Sequence, residues 1–105
     1  EGYYDCSSLV QRLYQEVGIS LPAIASTQGE FMVTHGLEVT EGELEPGDLI
    51  FYSYEQNGQF RNISHVAIYV GNGRMVHAAN SRRGVVNDPF NPSNIGLYGR
   101  PSRLQ

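Results

Sequence analysis

One cysteine and three histidines carry the neutral-pH acid–base and nucleophilic chemistry of this 105-residue chain. Cys6 stands in Asp5-Cys6-Ser7-Ser8-Leu9-Val10, His65 in Ser64-His65-Val66-Ala67-Ile68-Tyr69-Val70, His77 just before Ala78, and His35 in Thr34-His35-Gly36. A thiol beside an imidazole supplies a nucleophile and a base, and a second imidazole can orient the first and fix its tautomer. The same Cys and two His could instead hold zinc with an open fourth position, although they lack a close chelating spacing such as H-x-x-x-H. Each residue also has an inert reading. A free cysteine is among the most buried residue types, and a lone histidine on a strand is commonly a satisfied structural residue. His35 fits no joint arrangement and reads as solvated loop.

The elements around these residues decide whether they can meet. At about 100° per residue, Leu9, Val10, Leu13, Tyr14 and Val17 fall on one stripe of a helix, with Cys6 in the middle of it. Asp5 or a neighbouring serine can cap the first turn, and Gly18 sits where a left-handed C′ residue ends a helix. The thiol therefore points inward from a helix N-terminus, where unpaired N–H groups and the helix dipole favour a thiolate. Side chains alternate along the strand at 64–70, so His65, Ala67 and Tyr69 share one face and Val66, Ile68 and Val70 the other. A three-residue Gly71-Asn72-Gly73 loop with a bulge at Gly73 pairs Val70 with Arg74 and sets His77 opposite Ala67, on the His65 face. A two-residue Asn72-Gly73 loop sets His77 opposite Ile68, on the wrong face. A joint role for the two rings requires the first parity. Ala67, small, is expected to let the helix approach the sheet.

The rest of the chain reads as an α+β pattern of one helix followed by antiparallel strands. Leu21-Pro22 breaks the first helix, and Ala23 to Phe31 is expected as a short second helix with Ser26 or Thr27 near its start. Residues 36–45 read as loop. Pro46-Gly47 fits a type II turn, flanked by Glu45 and Asp48, that leads into a strand at 48–52. A return strand is expected at 74–79, then a tail from Ser81 that is mostly loop with one short strand around Ile95 to Tyr98. Arg82-Arg83 reads as solvated, with a substrate carboxylate as the alternative.

Size and composition limit the function classes. A chain this short builds one domain and one two-layer core. Its net charge of -4 and seven basic residues disfavour nucleic acid as a partner. No apolar run approaches the roughly 20 residues of a membrane span. One cysteine cannot form an internal disulfide, which leaves the compartment open. No signal peptide is visible, so the chain is expected to be a mature or excised domain.

Four segments together resemble the NlpC-type group of papain-like cysteine peptidases, which cut the peptide stems of bacterial peptidoglycan. They are the Asp5-to-Val10 segment, Glu45-Pro46-Gly47-Asp48-Leu49-Ile50-Phe51, His65 through Gly73, and His77-Ala78. They stand in the group's order and at about its spacing, from Tyr4 to Ala79. The resemblance implies a papain-like α+β fold, a cysteine-bearing helix packed on an antiparallel sheet, over a single domain at 1–105. It implies Cys6 as nucleophile, His65 as general base and then acid, His77 as the polar third member, and the Cys6 N–H as an oxyanion donor. Asp5 and Ser7 would contact the D-glutamyl end of the stem or its free L-alanine amine. The implied activity is hydrolysis of a stem amide, γ-D-glutamyl to a diamino acid, through a thioester. The same triad used as an amidase or acyltransferase, and an inactive peptidoglycan-binding module, are the alternatives.

Two departures from the group bear on substrate contacts. The group has an upstream helix and tyrosine segment where only Glu1-Gly2-Tyr3-Tyr4 stand before Asp5 here; either the chain begins late or Tyr3 or Tyr4 supplies the tyrosine. The Arg-Thr-Ser expected after Leu-Pro reads Ala23-Ile24-Ala25-Ser26, with Ser26 or Thr27 as the substitute. Further expectations are no cofactor, no metal, stem peptides as partners, a monomer, and an extracytoplasmic location.

Overall fold

The computed structural model describes residues 5–104. Helices α1 (Cys6–Glu16) and α2 (Ala25–Thr34) precede six strands, β1 (Glu38–Val39), β2 (Leu49–Tyr52), β3 (His65–Gly71), β4 (Arg74–Asn80), β5 (Gly84–Pro89) and β6 (Ile95–Gly99). The strands form one antiparallel sheet in the order β1-β6-β2-β3-β4-β5, with α1 packed on β3 and β4. The α+β expectation and the cysteine-bearing helix on the sheet both hold.

The start of α1 is fixed by its own sequence. Asp5 accepts from the Ser8 N–H at 2.9 Å, and the Asp5 N–H donates to the Ser8 hydroxyl at 3.1 Å, closing a capping box. Gly18, at φ +86°, ends the helix as expected. Only part of the apolar stripe is buried. Leu9 and Val10 enter the core, whereas Leu13 and Val17 are exposed and flank a shallow groove with Tyr14 and Ile68. Helix α2 starts at Ala25, two residues later than expected, because Ile24 is still extended and neither Ser26 nor Thr27 caps it. The buried Gln28 amide donates to the carbonyls of Ser7 (3.0 Å) and Pro22 (2.9 Å), tying α2 to the first turn of α1.

Each sheet face has its own core. Leu49, Phe51, Val66, Ile68 and Leu97 pack with Val10, Leu21, Ala25 and Met32 beneath the helices. Ile50, Tyr52, Ala67, Met75 and Tyr98 pack on the opposite face. Ala67 therefore faces away from α1, and the expectation that it admits the helix is overturned by strand alternation. Close approach is achieved elsewhere, at Gly99, where a Cβ would lie 2.4 Å from the Met32 Cγ.

The β3–β4 turn combines features of both expected loops. Gly71 pairs with Arg74, and Asn72 and Gly73 have φ of +54° and +69°, the signs of a type I′ two-residue turn. The register then shifts between Tyr69 and Gly71, so Val70 is an extra residue and the pairs beyond it are Tyr69↔Met75 and Ile68↔Val76. One step further along this register, Ala67 faces His77. The bulge restores the parity that the short turn alone would have lost.

Two further segments differ from the sequence reading. Residues 84–89, expected as loop, form β5, paired with β4 from Asn80↔Gly84 to Arg74↔Pro89. Residues 36–45 contain β1 and a 3-10 turn at Glu41–Glu43. Pro46-Gly47 is the expected turn, with Gly47 at φ +98° and the Asp48 N–H donating to the Glu45 carbonyl. Asp48 serves that turn and more. Its buried carboxylate accepts from the Glu45 N–H and from Arg100 Nε (2.8 Å) and Nη2 (2.9 Å), clamping the end of the sheet to the turn. Removing one partner of a buried pair strands the other charge. Asp48→Ala should lower the unfolding free energy by about 3 kcal/mol in urea titrations, and a loss below about 0.5 kcal/mol would contradict the clamp.

Candidate active site

Cys6 is the first residue of α1, partly buried against the helix-side core. The Val66 N–H is near enough to act on its sulfur, which puts the thiol by the first residues of β3 although the helix layer and the His65 ring belong to different sheet faces. The helix terminus alone predicted a thiol drawn toward thiolate. The structure reverses that at rest. Burial, with the Asp5 carboxylate adding to it, pushes the Cys6 thiol above its ordinary range, and the N–H groups of Val66, Ser7 and Cys6 only partly oppose this.

His65 and His77 lie on one sheet face, two positions apart on the diagonal of adjacent strands. The His65 Nε2 and the His77 Nδ1 are 2.8 Å apart, with the rings edge to face at 5.0 Å between centroids. Nδ1 is then the His65 ring nitrogen left for a reacting thiol. Burial first, then proximity to His77, brings the His65 pKa down to about 4, so this ring is neutral near pH 7 and able to accept a proton. Tyr52 and Tyr54 stack with centroids 5.4 Å apart, and both rings lie close to His65, at 6.1 Å and 6.3 Å. Burial and the nearby Cys6 charge raise the Tyr54 phenol, marking Tyr54 as a neighbour of the thiol.

Beyond His77 the chain of contacts continues. The His77 Nε2 is 2.9 Å from Asp88 Oδ2, and Arg83 closes on both Asp88 oxygens at 3.1 Å and 3.0 Å. The reading of Arg83 as merely solvated is corrected by this fork. Arg82 joins no side-chain contact of the relay; its N–H and that of Arg83 bond to the Asn80 side chain.

A cleft of about 400 Å³ runs past the sulfur, lined among others by Asp5, Ser7, Ser26, Asn57, Gln59 and Ser64. Three of the four expected substrate contacts, Asp5, Ser7 and Ser26, therefore share it with Cys6. Tyr4, and Tyr3 with it, lie outside the described residues. Ser26 donates to Gln59 Oε1 at 2.8 Å, whereas the Thr27 hydroxyl turns back onto the Ile24 carbonyl. His35 is remote from these contacts, stacked on Phe31 at the end of α2. Among the described residues no three His, Cys, Asp or Glu side chains are grouped to hold a metal ion, and no helix is long and apolar enough to cross a membrane.

Asp88 and Tyr54 escaped the sequence reading. Asn87-Asp88-Pro89 carries turn residues, and only the β-branched Val85-Val86 just before it signalled a strand. Once β5 pairs His77 with Val86, Asp88 is the diagonal neighbour on the same face.

Known proteins share this arrangement of chain and fold. The chain is 33% identical over 101 residues to the gamma-D-glutamyl-L-lysine dipeptidyl-peptidase of Bacillus cereus, covering 95% of this chain and 28% of that protein. It is 37% identical over 90 residues to the peptidoglycan DL-endopeptidase CwlO of Bacillus licheniformis, 85% of this chain and 18% of the relative. The chain thus spans less than a third of the length of these relatives. The crystal structure of an NlpC/P60 family protein from Bacillus cereus superposes with a TM-score of 0.78 at 30% identity, over 93% of this chain and 32% of that one. The model of the NlpC/P60 family matches residues 1–96, and with these likenesses in sequence and fold the chain belongs to the NlpC/P60 family.

Proposed function

We propose that this domain is a peptidoglycan stem endopeptidase in which Cys6 attacks the amide that joins γ-D-glutamate to a diamino acid. The observation that carries the reading is the convergence on the start of β3: the Val66 N–H acts on the Cys6 thiol, and the residue before Val66 is His65, whose ring is 2.8 Å from that of His77. The names of the relatives, a γ-D-glutamyl-L-lysine peptidase and a peptidoglycan DL-endopeptidase, support the substrate class.

With the thiol raised and the imidazole lowered, the resting pair is neutral. The proton moves as the bond forms. Sulfur attacks the carbonyl carbon while His65 Nδ1 takes the thiol proton, and His77 steadies the cation that results. The oxyanion is held by the Cys6 N–H at the open end of α1. The tetrahedral species collapses with loss of the amine, which takes the proton from His65, leaving a thioester. Water, deprotonated by His65, then releases the acid and restores the thiol. Asp5 and Ser7 bind the D-glutamyl end or its free L-alanine amine, and Ser26 lies on the far wall. The domain works as a monomer, without a cofactor, outside the cytoplasm where its polymer lies.

Cys6→Ala should abolish release of stem fragments from purified peptidoglycan, with the cut bond assigned by mass spectrometry of the products. Undiminished release would overturn the thiol mechanism, products cut elsewhere would favour the amidase or acyltransferase reading, and binding without cleavage by the unmodified domain would favour a binding module. Since the lowered His65 pKa means protonation only in strong acid, kcat/KM on a soluble stem peptide should fall along an acid limb near pH 4, with folding checked by circular dichroism. The unfolded chain binds that proton from about pH 6.5 downward, so stability also declines as pH falls from there toward 4. An acid limb at 6.5 in the folded protein would contradict the neutral buried ring.

A further inference from the structure

We infer that Asp88, held by Arg83, is a positioning residue that sets the tautomers of both imidazoles and so makes His65 Nδ1 the base; the inference rests on the Cys6-His65-His77 reading above. An ionised carboxylate only accepts, so at 2.9 Å from Asp88 Oδ2 the His77 Nε2 carries its proton. A neutral His77 then has a bare Nδ1. At 2.8 Å that nitrogen accepts from His65, whose single proton is thereby on Nε2. His65 Nδ1 is left bare, the state a thiol proton requires. With the opposite tautomers, His65 would carry its proton on Nδ1 and present a donor to the sulfur.

The carboxylate is equipped for this role. Arg83 grips both oxygens, so the plane that faces His77 is fixed. The Arg83 fork first, and the His77 contact second, bring the Asp88 pKa to about 2, and the acceptor stays ionised wherever the enzyme works. When His65 takes the thiol proton, the cation is adjoined through His77 by this negative charge. The three groups descend across three strands as same-face diagonals: His65 and His77 around the facing pair Ala67 and His77, then His77 and Asp88 around the pair His77↔Val86. The β3 bulge and the β4–β5 register are both needed for the line to be continuous.

The test is a pair of variants read by two methods. Ring nitrogens are followed by long-range proton–nitrogen NMR, and kcat and KM are measured on the soluble stem peptide. The unmodified domain should show both rings protonated at Nε2, and any other tautomer at neutral pH overturns the inference. Asp88→Ala should bring Nδ1–H forms into both rings and lower kcat by about ten- to a hundredfold, the loss typical when the outer partner of a metal-bound histidine is removed, with KM held within about twofold. Either readout unchanged in that variant overturns it. Asp88→Asn keeps an acceptor without the charge, so the Nε2–H forms should persist with a smaller loss of kcat; should Asp88→Ala not fold, an unchanged kcat in Asp88→Asn serves as the refutation. Arg82→Ala, next to the fork but outside it, should match the unmodified domain. Cys6→Ala keeps the two failures apart: its rings still report the tautomers, while residual cleavage in it would remove the thiol reading alone.

Discussion

The structure depends on a parity constraint in β3 and β4. Two imidazoles twelve residues apart can touch only if the strands between them place both on one face, and side-chain alternation gives each register a single answer. The type I′ turn at Asn72-Gly73 is favoured for a right-twisted hairpin but yields the wrong parity; the extra residue at Val70 corrects it. Bulges beside functional sites commonly re-aim a side chain, and here the re-aimed residue is His77. The 2.8 Å contact between the rings is the product of that single inserted residue.

The site is assembled from two layers that do not otherwise mix. The helix-side core holds α1 and places the sulfur, while the opposite face carries His65, His77 and Asp88. Both layers converge on the start of β3, where the Val66 N–H acts on the thiol and the residue before it is His65. The Asp5–Ser8 capping box and the Gln28 amide on the Ser7 carbonyl fix the position of Cys6 from both sides of the chain. Neither requires the thiol to be ionised. Burial instead raises the thiol and lowers the ring, and in the proposed reaction the dipoles of the helix terminus are available for the charge that develops during attack.

Much of this was legible in the residues. Cys6 at a helix start follows from Asp5, Ser8 and Gly18, and the β3 strand follows from its β-branched run, because capping and alternation are local rules. The requirement that His77 share a face with His65 was legible as well, but not how it is met. A one-residue bulge leaves no compositional mark in a segment already rich in glycine. The side of the sheet that α1 would cover was read wrongly at Ala67, since alternation defines two faces without saying which one a helix occupies. Strand β5 was hidden because Arg82, Arg83, Asn87, Asp88 and Pro89 are turn or surface types, and with it went the carboxylate that ends the relay. The thiol's direction of shift was also beyond a one-element argument: the dipole is a property of α1, while burial comes from the whole helix-side core.

In the proposed mechanism the thiol is stored as the neutral acid and ionised only by a base that accepts its proton in the act of attack. The rate at which Cys6 is alkylated by iodoacetamide, followed by intact mass from pH 5 to 10 on the folded domain, measures this directly, because alkylation reports the thiolate. The rate should stay low through neutral pH and climb steeply only above about pH 9. A rate already at its plateau by pH 6 would show a stored thiolate–imidazolium pair and contradict the account.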